Sequence, residues 1–157
     1  MSLGGGGGGG QMEQLQQQMQ AIDQEIEALE EEIQGFRDEK GEADEAIEAI
    51  DRLDSGDTVQ VPLGGGAYIR AEVSDIDEVV VDLGGGYAAE RDEEGAVDSL
   101  ERRKELLDEK IEGVEEEIEE LEGESEKLEQ QAQQMQQQQM QQLQQQMQQQ
   151  QGEQDDE

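Results

Sequence analysis

The sequence contains neither cysteine nor histidine, and each absence removes a class of chemistry. Without cysteine there is no disulfide, no thiolate metal site and no thiol nucleophile. Without histidine the commonest general base and metal ligand is missing. The abundant carboxylates do not replace them, because paired carboxylates act as acid and base only where their environments differ. An enzyme is therefore the least favoured class, and we expect no catalytic residue, no metal and no cofactor.

Apolar and aromatic residues are scarce. Hydrophobic residues make up 31% of the 157 residues and aromatic residues 2%, which is too little for a compact core. Such a composition is typical of disorder unless the chain forms a coiled coil, which needs apolar residues only at the a and d positions of each heptad. The chain also lacks an apolar run of ~18 residues and the pattern of a signal peptide. These absences predict a soluble, cytoplasmic protein with no membrane partner.

Basic residues are few as well. Acidic residues outnumber them by 44 to 10, which gives a net charge of −34. That charge repels phosphates, so nucleic acid is not an expected partner. It also destabilises a folded chain at low salt, whereas at molar salt the Debye length falls to about 3 Å. The composition therefore favours a halophilic source, with an ordinary acidic coiled coil as the alternative.

Two long stretches carry apolar residues at alternating steps of three and four, which is the heptad pattern of a left-handed coiled coil. The first helix is predicted over residues 12–54 and the second over residues 96–139. Gly56 is suited to capping the first helix, and Pro62 cannot continue it. Joined by a compact insert, the helices are expected to pair antiparallel, with facing residue numbers that add up to roughly 150. This register places Lys40 near Lys110, with Glu39 and Glu109 available to compensate both charges.

The segment between the helices, residues 55–95, is predicted to form two β-hairpins. Gly64–Gly66 and Gly84–Gly86 supply the positive φ angles that short hairpin loops require, and alternating apolar residues flank both. Two hairpins without a covering layer have exposed edges, so we expect this segment to bind neighbouring subunits. The predicted interface residues are Val59, Val61, Tyr68, Ile69, Val73, Val79, Val81, Leu83 and Tyr87. The acidic turn at Asp75, Asp77 and Glu78 lacks the calcium-loop pattern and is interpreted as solvated.

Both chain ends are of low complexity. Residues 1–11 include seven consecutive glycines and are predicted to be a flexible leader; a phosphate-binding loop would need a preceding strand and a following Lys-Ser/Thr. Residues 140–157 form a glutamine-rich tip with an acidic tail, disordered from residue 151. In the predicted register the apolar residues at 140, 143 and 147 have no apolar partner on the first helix.

In the order of these elements and in its amino-acid motifs, the sequence resembles the α-class subunit of archaeal prefoldin. The likeness covers residues 12–135 and is most specific in Val61-Pro62-Leu63-Gly64 and Asp82-Leu83-Gly84-Gly85-Gly86-Tyr87. The resemblance implies an α+β fold, namely a long antiparallel two-helix coiled coil with two β-hairpins inserted at the bend. It implies a hexamer of two α and four β subunits that holds unfolded polypeptides at the coil tips without ATP and passes them to a group II chaperonin.

With the resemblance, the uncovered apolar residues near the ends become candidates for client binding. Methionine suits this role because its flexible, polarizable side chain adapts to varied surfaces. An ordinary place in the coiled-coil seam is an equal alternative for four of the candidates, namely Met12, Leu15, Met19 and Met135. The rival function is a structural coiled-coil spacer with its hairpins as a dimerisation clip. The candidate client-binding residues are Met12, Leu15, Met19, Met135, Met140, Leu143 and Met147.

Overall fold

The structure, a computed structural model, describes residues 7–154. Along the chain, two long helices flank four short strands. The strands pair in sequence order as two separate antiparallel hairpins. This arrangement confirms the predicted α+β fold class. The elements are α1 Gly7–Arg52, β1 Thr58–Gly64, β2 Ala67–Glu72, β3 Val79–Gly84, β4 Tyr87–Arg91 and α2 Glu93–Gln154.

Both helices extend further into the low-complexity ends than the sequence predicts. Helix α1 begins at Gly7, not Met12, so the last four glycines of the predicted flexible leader are helical. Helix α2 continues to Gln154, so the glutamine-rich segment is helical and the predicted disorder from residue 151 is wrong up to that residue. Glycine is a poor helix former, which explains why local propensity predicted a later start. The remaining predicted leader and tail residues, 1–6 and 155–157, lie outside the described residues.

Helix α2 begins at Glu93, three residues before the predicted start, because Asp92 caps it. The Asp92 side chain accepts a hydrogen bond from the Gly95 backbone N–H at 2.7 Å, and the Asp92 carbonyl accepts one from the Ala96 N–H at 2.8 Å. An aspartate in this place satisfies a backbone donor that the first helical turn leaves unpaired. Glu93 and Glu94 follow in the first turn, where negative charge interacts favourably with the helix dipole.

The two hairpins share one turn design. Gly65 and Gly66 both have positive φ, 61° and 83°, as the central residues of a two-residue type I′ loop do. Gly85 and Gly86 repeat this geometry with 64° and 82°. In each hairpin the register shifts by one residue just before the loop, where a leucine has no opposite partner. In the second hairpin the Asp82 carboxylate accepts a hydrogen bond from the Gly84 N–H at 2.9 Å.

The chain divides into two compact units. The hairpin unit comprises Glu32–Gly113, and the terminal unit comprises the described residues within 1–31 and 114–157. In the hairpin unit Ile50, Val81 and Ala96 form the buried core, and Val79, Val97 and Leu100 pack against it. Ile33, Ala43 and Leu107 are also buried there, and Ile22 and Val114 are buried in the terminal unit. Apart from Ala96, the buried residues on the helices all belong to the apolar three-four pattern from which the coiled coil was predicted.

Two ion pairs connect α1 and α2 within the hairpin unit. Lys40 pairs with Asp108, and Lys104 pairs with Asp44 at 2.5 Å. Both pairs have residue numbers that add up close to the predicted value, which confirms the antiparallel register. The carboxylate that compensates Lys40 is Asp108, two residues before Lys110, and not the predicted Glu109. The Lys110 ammonium lies 5.7 Å from the centre of the Phe36 ring instead.

Candidate functional site

The second hairpin is covered by its own chain, whereas the first is not. Val61 and Val81 occupy equivalent places before the two glycine loops, opposite Ile69 and Ala89. Val81 is 8% exposed in the core of the hairpin unit, but Val61 is 41% exposed. Val79 packs against the same core. The expectation that every apolar strand residue needs a neighbouring subunit to bury it is therefore wrong for Val81.

The hairpins expose a set of large apolar side chains. Five of them were predicted as interface residues, and Val59 and Val73 from the same prediction are half-buried. Leu63 and Val80 were missed, although Leu63 adjoins a glycine loop and Val80 alternates with Val79 and Val81, so it must face away from the core. Such exposed apolar residues on a two-stranded sheet are typical of an interaction surface. The exposed residues are Val61, Leu63, Tyr68, Ile69, Val80, Leu83 and Tyr87.

The terminal unit contains the candidate client-binding residues. Met140, Leu143 and Met147 lie on α2 and are 66%, 57% and 64% exposed. The other four, Met12, Leu15, Met19 and Met135, are half-buried.

A cavity of about 370 Å³ opens beside the half-buried residues. Leu15 and Met135 both line it, as the predicted register requires. A second cavity, of about 470 Å³, is lined by Ile22 and Leu128, which the register also brings together. The remaining lining of the first cavity is amide side chains, from Gln11, Gln14, Gln18, Gln131, Gln134 and Gln138.

In the acidic turn between the hairpins, Asp75 accepts hydrogen bonds from two backbone N–H groups, one through its side chain and one through its carbonyl. The Asp75 carboxylate accepts a hydrogen bond from the Asp77 N–H at 3.0 Å, and the Asp75 carbonyl accepts one from the Glu78 N–H. Across residues 7–154, no three carboxylates are placed to hold a metal ion.

The electrostatics of the hairpin unit centre on Lys104. The hydrogen bond from its ammonium to Asp44 raises the pKa of Lys104 above the ordinary lysine value; desolvation opposes the shift, and the negative charges of Asp44 and Glu101 support it. Over the described residues, neither long helix has a stretch apolar enough to cross a membrane.

Comparison with known proteins places this architecture in a family. The family model described as "Prefoldin subunit" matches residues 22–138. The chain is 64% identical over 101 residues to Prefoldin subunit alpha of Haloarcula marismortui, covering 64% of this chain and 66% of that relative. It is 62% identical over 109 residues to Prefoldin subunit alpha of Halorubrum lacusprofundi, covering 69% and 70%. The match thus spans about two thirds of the length of these relatives, both from halophilic archaea.

A solved structure shows the same fold. It is a filamentous PFD from Methanocaldococcus jannaschii determined by cryo-EM, with 27% sequence identity and a TM-score of 0.50 over 74% of this chain and 93% of that chain. Since the family model covers well over half of the residues and the fold agrees with it, the chain belongs to the prefoldin family.

Proposed function

We propose that the protein is an α subunit of a prefoldin hexamer and acts as an ATP-independent holdase. In this function it joins four one-hairpin β subunits and a second α subunit, captures unfolded polypeptides and delivers them to a group II chaperonin. Its membership of the prefoldin family and its likeness to subunits named Prefoldin subunit alpha support the proposal. No catalytic or cofactor-binding role enters it.

The observation that carries the proposal is the exposure of Met140, Leu143 and Met147. They follow one another at steps of three and four residues, so they lie along one side of α2. All three are largely solvent-exposed, while the surrounding residues are glutamines. A contiguous apolar stripe on a polar helix is suited to binding another polypeptide, and methionine adapts to different client sequences.

Met12, Leu15, Met19 and Met135 would extend this surface inward. They are half-buried, and two of them line a cavity whose other walls are glutamine amides. An extended client segment presents both apolar side chains and backbone amides. A site with methionine beside glutamine would contact both parts of such a segment.

The exposed apolar residues of the hairpins would bind the partner subunits. Val61, Ile69 and Tyr68 belong to the first hairpin, which the chain's own helices leave uncovered. A two-stranded hairpin is marginal alone, and another subunit would supply the layer that the second hairpin obtains from its own core.

The test is suppression of client aggregation by the complex formed on co-expression with a one-hairpin prefoldin chain. The variant replaces Met140, Leu143 and Met147 with glutamine, which keeps the helix and removes the stripe. We expect client affinity to fall by about tenfold or more, since ~1.4 kcal/mol accounts for that factor and burial of each side chain contributes more than that.

The matched control replaces Gln142, Gln145 and Gln149 with alanine on the same segment. It is expected to keep wild-type protection, and both variants should retain the mass of the complex in native mass spectrometry. Equal protection by the stripe variant and the wild type would contradict client binding at this place. Absence of protection by the intact wild-type complex would favour the structural spacer.

A further inference from the structure

The terminal unit changes abruptly from an acidic surface to an uncharged one. In a chain of which 34% is charged, residues 130–152 of α2 carry no charged side chain, and residues 7–22 of α1 carry only Glu13. The charged residues that border these stretches are Glu129 on α2 and Asp23 on α1. Together the two stretches form the neutral end of the unit.

The charge stops at nearly the same height on both helices. Ile22 and Leu128 line one cavity, and the residues that follow them in the sequence are Asp23 and Glu129. Beyond this height, the described lining of the next cavity is glutamine with one leucine and one methionine. Two stretches that are far apart in the sequence thus form one uncharged surface in the folded unit.

Helix formation does not explain the choice of glutamine at this end. Glutamate forms helices about as well as glutamine. Between residues 114 and 129, every exposed residue of α2 is a glutamate except Lys127. Glutamate would also serve solubility at least as well. The two side chains differ mainly in charge, so the loss of charge needs a reason of its own.

The apolar stripe proposed for client binding lies inside the neutral end. At about 1.5 Å per residue, Met140 is about 16 Å along the helix from Glu129, and Met147 is about 9 Å from Glu153. The Debye length is about 3 Å in molar salt. The stripe is therefore several Debye lengths along α2 from the carboxylates on either side of it.

Removing charge around the stripe favours one kind of client. Carboxylates beside it would attract a basic client and repel an acidic one. A neutral surround gives up that attraction and avoids that repulsion, so it is an advantage only where clients are acidic. The chain itself, at a net charge of −34, is an example of the acidic polypeptides that its cell synthesises.

We propose that the neutral end makes the stripe a binding site for strongly acidic unfolded polypeptides. The stripe contacts the apolar side chains of such a client. The glutamine amides beside it donate hydrogen bonds to client carboxylates and carbonyls, which a glutamate carboxylate cannot do. This inference rests on the proposed holdase function and adds to it the class of client.

The test compares one client at three net charges. The client is a permanently unfolded, lysine-rich polypeptide, used unmodified, acetylated on its lysines, or succinylated on them. These modifications take its charge from basic to acidic and leave its apolar residues in place. Fluorescence anisotropy in about 1 M KCl measures the affinity of the complex formed on co-expression with a one-hairpin prefoldin chain. We expect the wild type to bind all three forms with affinities within about threefold, since its carboxylates are screened from the stripe.

A variant with charges beside the stripe should lose this tolerance. Gln139, Gln144 and Gln146 are exposed and lie three or four residues from members of the stripe, so they border it. With all three replaced by glutamate, we expect the succinylated client to bind about tenfold more weakly, because like charges in direct contact still repel at this salt concentration. The unmodified client should bind at least as tightly as it binds to the wild type.

The matched control adds the same three charges on the opposite side of α2. It is Gln142→Glu with Gln145→Glu and Gln149→Glu, and it should bind all three forms like the wild type. Native mass spectrometry and circular dichroism should show the wild-type complex and helix content for both variants.

Three outcomes would overturn the proposal while leaving the holdase function in place. In the first, the wild type binds the succinylated client about tenfold more weakly than the acetylated one. In the second, the border variant behaves like its control. In the third, the border variant weakens all three forms equally, so that the amides act without regard to client charge. A wild-type complex that holds none of the three forms would instead contradict the holdase function, and this proposal with it.

Discussion

Lys104 on α2 and Asp44 on α1 form an ion pair of 2.5 Å across the hairpin unit. A second pair repeats it with the helices exchanged, since Lys40 is on α1 and Asp108 on α2. On each helix the lysine and the aspartate are four residues apart. A lysine at a seam position lowers stability but specifies register. The two reciprocal pairs therefore fix the alignment of α1 against α2 by charge as well as by apolar contact.

The Lys104 pair makes a pH-dependent contribution to stability. The hydrogen bond to Asp44 raises the pKa of Lys104 in the folded chain. A raised folded-state pKa means that the stabilisation is complete below the unfolded-state pKa and is lost as the pH rises through the folded-state value. We expect the wild type to lose stability relative to Lys104→Met as the pH rises from about 9 to about 12. Thermal unfolding across this range measures the difference.

Lys127→Met is the control for this experiment, since no ion pair of Lys127 is found in the described part of the chain. Its stability relative to the wild type should change less over the same range. Parallel curves for wild type and Lys104→Met would show that the pair contributes no pH-dependent stability.

The sequence predicted the features that depend on local pattern. Apolar residues at heptad spacing identified the buried seam positions, and the two glycine triplets identified the hairpin loops. The register was correct to within two residues. That small offset nevertheless decides which charge faces Lys40, because Lys110 and Asp108 differ by only two positions. Charge pairing across a coiled coil thus needs a more accurate register than the apolar pattern supplies.

Burial that depends on tertiary packing was not predictable from the sequence. The two hairpins are nearly alike around Val61 and Val81, yet only the second packs on its own helices. The sequence also missed a groove that residues from three places form, because Leu83 of the second hairpin, Glu39 of α1 and Arg102 of α2 all line it. Its signal was nevertheless present: three successive basic residues, Arg102-Arg103-Lys104, interrupt an acidic helix shortly before the off-seam Leu106.

The cap of α2 predicts an unusual effect of a Gly→Ala substitution. A Cβ atom at Gly95 would lie 2.7 Å from the Asp92 carboxylate oxygen that caps the helix. Although alanine is normally the better helix former by about 1 kcal/mol, we expect Gly95→Ala to destabilise the protein. Asp92→Ala should cost about 1 kcal/mol. Urea unfolding of the two single variants and the double variant measures the coupling.

In the Asp92→Ala background the carboxylate is gone, so Gly95→Ala should be neutral or stabilising there. Additive effects of the two substitutions would mean that the glycine is required for another reason.

A glycine in a hairpin loop and a glycine in helix α1 are expected to respond to Gly→Ala substitution with effects of opposite sign. Gly66 has φ of 83° in the type I′ loop, where an L-residue other than glycine is strained by about 1–2 kcal/mol. Gly41 lies in α1, and a Cβ atom added there would meet open space, with nothing within 4 Å. We expect Gly66→Ala to destabilise the protein and Gly41→Ala to stabilise it by about 1 kcal/mol. Two effects of the same sign in urea unfolding would contradict this assignment of the loop.

The net charge of −34 predicts a strong dependence of stability on salt. Repulsion among carboxylates opposes the folded state at low salt and is screened at high salt. We expect the thermal unfolding midpoint to rise by about 10 °C or more between about 0.1 M and about 2 M KCl. Salt also strengthens apolar burial to some extent, so the rise alone does not identify its cause.

A variant with fewer charges separates the two causes. Replacing Glu116, Glu117, Glu119 and Glu120 with glutamine removes four exposed carboxylates from α2 and hardly changes helix propensity. If repulsion limits stability, this variant unfolds at a higher temperature than the wild type in low salt and gains less from added KCl. An equal gain in both proteins would attribute the salt effect to apolar burial, and the acidic surface would then have no role in adapting the fold to salt.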